Sequence, residues 1–85
     1  MTKFFFHSDP GHGWLQVPMN LIDDLGLRPL ISHYSYRDPT NTYAYLEEDC
    51  DAPKFIKVYG ETYGTPEVEF VSSSRDSFIR SLPHF

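Results

Sequence analysis

The sequence predicts an α+β fold: a single small domain in the order ββαββαβα, with an antiparallel sheet of about five strands and helices mainly on one face. Short stretches alternate apolar and polar residues, which is typical of strands, and two others repeat apolar residues at helical spacing. In addition, 16% of the 85 residues are aromatic. Large rings let a short chain bury a core, so residues 1–85 are expected to form one folded domain.

The first predicted unit is a hairpin. Residues 2–7 form a strand in which Phe4, Phe5 and Phe6 place rings on both faces, as in a central strand. Residues 8–13 combine aspartate, proline and glycine, which favours a turn. Residues 14–17 are then the return strand.

A short helix is predicted after this hairpin. Pro18 suits the first helical position, and Val17, Leu21 and Leu25 follow one another at helical spacing. Gly26 suits the position just after a helix, where a positive φ is common.

A second hairpin is predicted from strands over residues 31–37 and 42–47. If its loop has four residues, Tyr36 lies opposite Tyr43 and Tyr34 opposite Tyr45. Alternation then places all four tyrosines on one face of the sheet. That face could belong to the core, contact another protein or stack on nucleic-acid bases.

The last third of the chain predicts a helix, a strand and a second short helix. Asp51 is expected to cap the first of these helices, which ends at Gly60. Residues 67–72 alternate as a strand, and Ser74 is expected to cap a helix over residues 75–82. The predicted core consists of Phe4, Phe6, Trp14, Leu15, Leu21, Leu25, Leu46, Phe55, Ile56, Phe70 and Ile79.

Composition narrows the functional classes. The formal net charge of −5 argues against a nucleic-acid binder, which needs a basic surface, and suits a partner with a basic surface. A single cysteine cannot form an internal disulfide, which fits a reducing compartment. The N-terminal apolar run is too short for a signal peptide, and no run reaches membrane-spanning length. A cytoplasmic protein without a cofactor is therefore predicted.

A candidate metal-ligand set spans the first turn: His7, Asp9 and His12. Two imidazoles and a carboxylate are ligands that zinc accepts. The set lacks an evident fourth ligand, so the alternative is a turn formed by Asp9 that histidines happen to flank.

We call the acidic residues from Glu47 to Asp51 the acidic corner. Paired carboxylates could bind a cation or act as acid and base, but the Gly-containing spacing of a calcium loop is missing. The alternatives are a solvated helix-capping corner or a protein-binding surface. Cys50 is expected to be a buried thiol whose pKa the neighbouring carboxylates raise, which opposes a nucleophilic role.

A protein-binding surface is the functional hypothesis for the tyrosine face and the acidic corner together, beside the structural alternatives of a buried tyrosine face and a solvated capping corner. Only Arg37 could offer phosphate a positive charge nearby, while the carboxylates would repel it, so direct nucleic-acid binding is not expected. The candidate binding residues are Tyr34, Tyr36, Tyr43, Tyr45, Glu47, Glu48 and Asp49.

Two stretches carry a resemblance. The segment His7-Ser8-Asp9-Pro10-Gly11-His12-Gly13-Trp14-Leu15 and the segment Tyr45-Leu46-Glu47-Glu48-Asp49-Cys50-Asp51-Ala52 resemble a group of small, uncharacterised proteins of bacteriophages and mobile elements. Residues 31–36 fit as well, so the resemblance covers about residues 5–56. It implies expression in a bacterial cytoplasm and assigns no catalytic residue.

Two functional hypotheses follow. The first is a non-enzymatic protein that binds a bacterial host or phage protein through the acidic corner and exposed aromatics, as an inhibitor or regulator. The second is a divalent-metal module or metal-dependent enzyme using His7, Asp9, His12 and the carboxylates of the acidic corner. Whether the first turn meets the acidic corner in space distinguishes them.

Overall fold

The computed structural model describes residues 3–85, and Thr2 of the predicted first strand lies outside them. Its strands are β1 (Lys3–Ser8), β2 (Gly13–Pro18), β3 (Tyr36–Arg37), β4 (Tyr43–Glu47) and β5 (Glu67–Ser72), and its α-helices are α1 (Met19–Asp24) and α2 (Ala52–Tyr63). Short 3₁₀ turns cover Arg28–Leu30 and Phe78–Ser81. The fold is thus a small α+β domain. No helix within the described residues is long and apolar enough to cross a membrane.

The five strands form one mixed sheet in the order β3-β4-β2-β1-β5. Three neighbouring pairs are antiparallel, but β5 runs parallel to β1, so the prediction of an antiparallel sheet is wrong at this edge. The reason is the connection: α2 carries the chain from β4 past two strands to the far edge, and such a crossover can return the chain in its original direction. The predicted central position of β1 is confirmed.

The main core lies between the sheet and the two α-helices. Phe4 of β1 meets the rings of Phe55 and Tyr59 edge to face, at centroid distances of 5.3 and 5.2 Å. Of the predicted core, the residues that are buried are Phe4, Trp14, Leu15, Leu46, Phe55 and Ile79. Edge-to-face ring pairs stabilise the core beyond what the buried area alone contributes, which suits a small domain.

Helix α1 buries a different stripe from the one predicted. Strand β2 extends to Pro18, so Val17 is a strand residue and the helix begins at Met19. Met19 and Ile22 are buried, whereas Leu21 and Leu25 are only partly buried against the same core.

Helix α2 is longer than predicted because Gly60 does not end it. The helix continues to Tyr63, and Gly64, with φ of 87°, takes the position after its last turn. Phe55 and Tyr59 face the core, while Ile56 is 42% exposed, so its predicted burial is wrong.

The opposite face of the sheet is covered by residues 77–85, which we call the C-terminal segment. Trp14, Tyr45 and Ile79 form a second buried cluster there, with Tyr36 and Leu82 packed against it. The predicted helix over residues 75–82 is wrong: only a 3₁₀ turn forms, and Ser77 rather than Ser74 accepts a hydrogen bond from the Ile79 amide.

Strand β5 is more exposed than its sequence suggested. Phe70, a predicted core residue, is 74% exposed, although its ring still touches that of Phe6 at a centroid distance of 5.6 Å. Phe6 itself is only partly buried against the core. The reason is position, since β5 is the outermost strand on its side of the sheet.

The second hairpin is shorter than predicted and shifted in register. Of the predicted strand 31–37, only Tyr36 and Arg37 pair with β4 in the described structure, and Tyr36 lies opposite Tyr45 rather than Tyr43. Residues 31–35 leave the strand path because Asp51 holds the amide of Ser32, at 3.1 Å. Tyr36 also bridges to His84, so the C-terminal segment covers this edge of the sheet.

Candidate binding pocket beside the acidic corner

A cavity of about 250 Å³ opens where Trp14 of β2 lies opposite Glu47 of β4. Segment 32–36 and the C-terminal segment contribute to its walls. It is lined by His12, Trp14, Tyr34, Tyr36, Glu47, Asp49, Cys50, Arg80 and His84. Aromatic and acidic side chains therefore face a common space.

Three aromatic residues line this pocket. Trp14 is 2% exposed and meets Tyr36 nearly at right angles, at a centroid distance of 6.1 Å. Tyr36 also packs against the His84 ring at 4.5 Å, and the Nδ1–H of His84 donates to the His33 carbonyl at 2.7 Å. Tyr34, by contrast, is 59% exposed and so can contact an incoming group.

Arg80 borders the pocket and is held by the first turn. Its Nε donates to Asp9 Oδ2 at 2.6 Å and its Nη2 to Asp9 Oδ1 at 2.9 Å. The guanidinium lies over the Trp14 ring, 5.3 Å from its centroid. Such placement is a cation–π contact.

Asp9 is fully engaged within the protein. Arg80 and the Ser77 amide, followed by the amides of His12 and Gly11, hold the pKa of Asp9 well below its ordinary value against the opposing effect of burial. Asp9 therefore stays ionised as the partner of Arg80 and stabilises the turn, which is the structural alternative to metal ligation.

Glu47 shapes the acidic corner from inside. The residue is 8% exposed, and its Oε2 accepts hydrogen bonds from the amides of Asp49, at 3.0 Å, and Cys50, at 2.8 Å. Its Oε1 lies 3.9 Å from Nδ1 of His12. One oxygen thus holds the turn after β4 while the other is left beside the pocket.

Asp51 occupies the position before α2 but has another role than the predicted one. Its side chain makes no capping hydrogen bond to α2 in the described chain. The buried carboxylate instead accepts from the hydroxyls of Ser35 and Ser32, and from Lys54 Nζ at 3.0 Å. The Ser35 hydroxyl in turn accepts from the Glu47 amide at 2.9 Å. This network joins segment 32–35, the acidic corner and α2.

The environment of Asp51 keeps it ionised. Burial raises the pKa of this carboxyl, but hydrogen bonds from Ser35, Ser32 and Lys54 together outweigh burial, and the net result is a lowered pKa. A charged, fully hydrogen-bonded carboxylate therefore anchors the pocket wall that Tyr34 and Tyr36 occupy.

Cys50 is exposed, so its predicted burial is wrong. A hydrogen bond to Glu47, then burial and the charges of Glu47, Asp51 and Asp49, raise the pKa of the thiol, as predicted. The reason for its exposure is that the turn after β4 directs residues 48–50 outward. A raised pKa disfavours the thiolate that a nucleophile needs.

The structure brings together some of the predicted binding residues. Tyr34, Tyr36, Glu47 and Asp49 line the pocket. Tyr45 is buried in the second cluster, and Tyr43 is 38% exposed at the opposite end of β4. Glu48 is exposed, and its amide donates to the Gly13 carbonyl at 3.0 Å. The first turn and the acidic corner therefore do meet.

Each member of the predicted metal-ligand set has another partner in the folded chain. His7 bonds Gln16 at 2.7 Å on the sheet surface, Asp9 pairs with Arg80, and His12 faces Glu47. Within residues 3–85, no three histidine, cysteine, aspartate or glutamate side chains are arranged to hold a metal ion. The meeting of turn and corner thus forms an acidic pocket wall instead of a ligand cluster.

Sequence reasoning missed Trp14, Arg80 and His84 as pocket residues. Trp14 could have been found, because alternation along β2 places it on the same face as Tyr45 and opposite Glu47. Arg80 and His84 come from a C-terminal segment whose path over the sheet has no local sequence signal. Comparison with protein-family models, with curated proteins and with solved structures finds no match to this chain.

Proposed function

We propose that this chain is a non-enzymatic binding protein whose pocket receives an arginine or lysine side chain from the basic surface of a bacterial host or phage protein. Binding there would inhibit or regulate that protein. The supporting observation is that Tyr34, Tyr36, Glu47 and Asp49 line one cavity.

The chemistry of the pocket favours a cation. Aromatic faces attract guanidinium and ammonium groups, by about 0.5–2 kcal/mol depending on desolvation. In residues 3–85, neither Glu47 nor Asp49 forms an ion pair with a lysine or arginine. Arg80 adds little net positive charge because Asp9 neutralises it. An incoming cation would therefore meet two carboxylates and an accessible tyrosine.

The size of the pocket favours a side chain over a cofactor. Its volume of about 250 Å³ lies just below the range of about 300–1,000 Å³ that is usual for small-molecule sites. The net charge of −5 would steer a basic protein toward the chain. The resemblance to phage and mobile-element proteins supports placing that partner in an infected or plasmid-bearing bacterium.

A peptide titration tests the cation requirement directly. ¹⁵N-labelled protein is titrated with a short arginine-containing peptide and with its citrulline counterpart, which keeps the shape and removes the charge. The arginine peptide should shift the Trp14 indole signal and the amide signals of Tyr34, Tyr36 and Asp49. It should bind at least about tenfold more tightly than the citrulline peptide.

A matched pair of variants controls for net charge. Asp49→Asn should weaken binding of the arginine peptide, whereas Asp24→Asn makes the same charge change at the end of α1, away from the pocket. Equal effects of the two substitutions, or equal binding of both peptides, would contradict the proposal. Lysate capture followed by mass spectrometry would then identify the natural partner.

A further inference from the structure

Strand β5 leaves an open edge on the side of the sheet away from the pocket. It is the terminal strand of the sheet, and in the described chain nothing pairs with its outer side. Phe70 is 74% and Val71 40% exposed. A six-residue edge with exposed apolar side chains is a template for another strand. The opposite edge is different, because β3 has two residues and the C-terminal segment covers it.

The backbone of β5 shows which groups are free to pair. The Ser73 amide donates to the Ser8 carbonyl of β1 at 2.8 Å. By alternation, the amides and carbonyls of Glu69 and Val71 also face β1. Those of Val68, Phe70 and Ser72 therefore point outward.

We propose that β5 pairs antiparallel with β5 of a second copy of this chain, about a two-fold axis at Phe70. Such a dimer joins the two sheets into one continuous sheet. It goes beyond the proposed pocket function, since it uses the opposite edge of the domain and would leave both pockets open.

Charge excludes two of the possible registers. In an antiparallel pair, residues whose amides and carbonyls point toward the partner strand lie opposite one another. A two-fold axis between two copies of β5 must therefore pass midway between the two copies of one residue. An axis at Val68 places Glu67 opposite Glu69 of the second copy, and an axis at Glu69 places that residue opposite itself. Like charges directly opposite are unfavourable.

An axis at Phe70 avoids both conflicts. It places Glu69 opposite Val71 of the other copy, Glu67 opposite Ser73, and the two copies of Phe70 opposite each other. An axis at Val71 also avoids them, but it pairs only residues 70–72 of the strand, whereas the Phe70 axis pairs residues 68–72. Lys3 bonds Glu69 at 3.0 Å and so reduces the charge at this edge.

The first test is the oligomeric state. Sedimentation equilibrium from micromolar to millimolar protein should show a monomer–dimer equilibrium that strengthens with added salt, because each copy carries a net charge of −5. Phe70→Glu should weaken the dimer at least about tenfold, since it replaces an aromatic pair by like charges. The matched control, Leu30→Glu, alters an exposed apolar residue outside β5 and should leave the dimer unchanged. A monomer throughout, or equal effects of both variants, would overturn the proposal.

The second test fixes the register. Cys50 is exposed, so all variants carry Cys50→Ser. Phe70→Cys should cross-link to itself under mild oxidation, because directly opposite strand residues have the Cα separation that a disulfide needs. Val68→Cys should cross-link only when mixed with Ser72→Cys. Self-cross-linking of Val68→Cys as efficient as that of Phe70→Cys would overturn the register. A lysate protein cross-linked in preference to the second copy would overturn the dimer.

Discussion

Arg80 and Asp9 lie 71 residues apart in the sequence and form a two-point ion pair in the folded chain. The Asp9 side chain is inaccessible to solvent, and Arg80 covers the Trp14 ring. Asp9 also accepts from the Ser77 amide at 2.9 Å. The floor of the pocket therefore depends on a contact between the first turn and the C-terminal segment.

Breaking this pair should loosen the pocket. Asp9→Asn and Arg80→Gln should each lower the melting temperature. The melting temperature of the double variant should be only slightly below that of the less stable single variant, because both substitutions remove the same contact. Thermal unfolding of the four proteins measures this coupling. Trp14 is the only tryptophan, so its fluorescence reports whether the pocket floor changes. Additive losses with unchanged fluorescence would show that the pair does not support Trp14.

The Asp51 network should contribute more than a helix cap does. Asp51→Ala leaves two serine hydroxyls and Lys54 without their shared acceptor, which should cost about 3 kcal/mol of unfolding free energy. Loss of a helix cap alone costs about 1 kcal/mol. Urea denaturation separates the two values. Glu48→Ala is the matched control, since Glu48 is exposed, and it should change stability by less than about 0.5 kcal/mol.

Asp51 should also make stability fall in acid. Its pKa is lowered in the folded chain, so the folded state holds the charged form more strongly than the unfolded state does. The stabilisation is fully present above the unfolded value of about 3.9 and is lost as the pH falls through the lower folded value. Melting temperatures from pH 6 to pH 2 should drop less steeply for Asp51→Asn than for wild type. If the melting temperatures of the two proteins fall equally steeply with pH, other carboxylates, such as Asp9, cause the loss of stability in acid.

Alanine substitutions at the two glycines near the end of α2 should change the stability of the protein in opposite directions. Gly60 lies inside the helix with open space where a Cβ would be, so Gly60→Ala should stabilise by about 1 kcal/mol. Gly64 has a φ of 87°, which alanine adopts with strain, so Gly64→Ala should destabilise. Chemical denaturation of both variants gives the sign of each change in unfolding free energy. A destabilising Gly60→Ala would mean that α2 ends earlier than Tyr63.

Local patterns predicted most of the secondary structure, and long-range contacts account for most of what they missed. The hairpin β1–β2 and helix α2 followed from alternation, turn residues and helical spacing. Residues 31–35 have strand-like composition, but the distant Asp51 carboxylate holds Ser32 and Ser35 in another path. The antiparallel sheet was predicted without considering a helical crossover, so the parallel position of β5 was missed.

The candidate site was predicted only in part for the same reason. Tyr34 and Tyr36 come from one segment and Glu47 and Asp49 from the acidic corner, so the sequence could suggest both groups. Arg80 reaches them only because the C-terminal segment folds back across the sheet. Such a return depends on tertiary contacts that no local pattern encodes.

Charge at the acidic corner should act mainly on the rate at which the proposed protein partner is encountered. Exposed charges steer diffusional encounter more than they set final affinity, and they are screened within about 8 Å at physiological ionic strength. Glu48→Gln combined with Asp49→Asn should therefore slow association with the captured partner and flatten its dependence on salt. Stability should be unchanged, because both side chains are exposed and Glu47, whose Oε2 holds the turn, remains.

The control for this double variant is Asp24→Asn combined with Glu61→Gln, which removes the same charge from exposed positions outside the pocket. Stopped-flow association rates at two salt concentrations compare both with wild type. Because the proposed partner would approach the acidic corner, only the first variant should lose most of the salt dependence. If both slow association equally, the net charge of the whole chain steers the encounter. If neither does, the acidic corner has no part in it, and the aromatic wall formed by Tyr34 and Tyr36 becomes the surface to test by substitution.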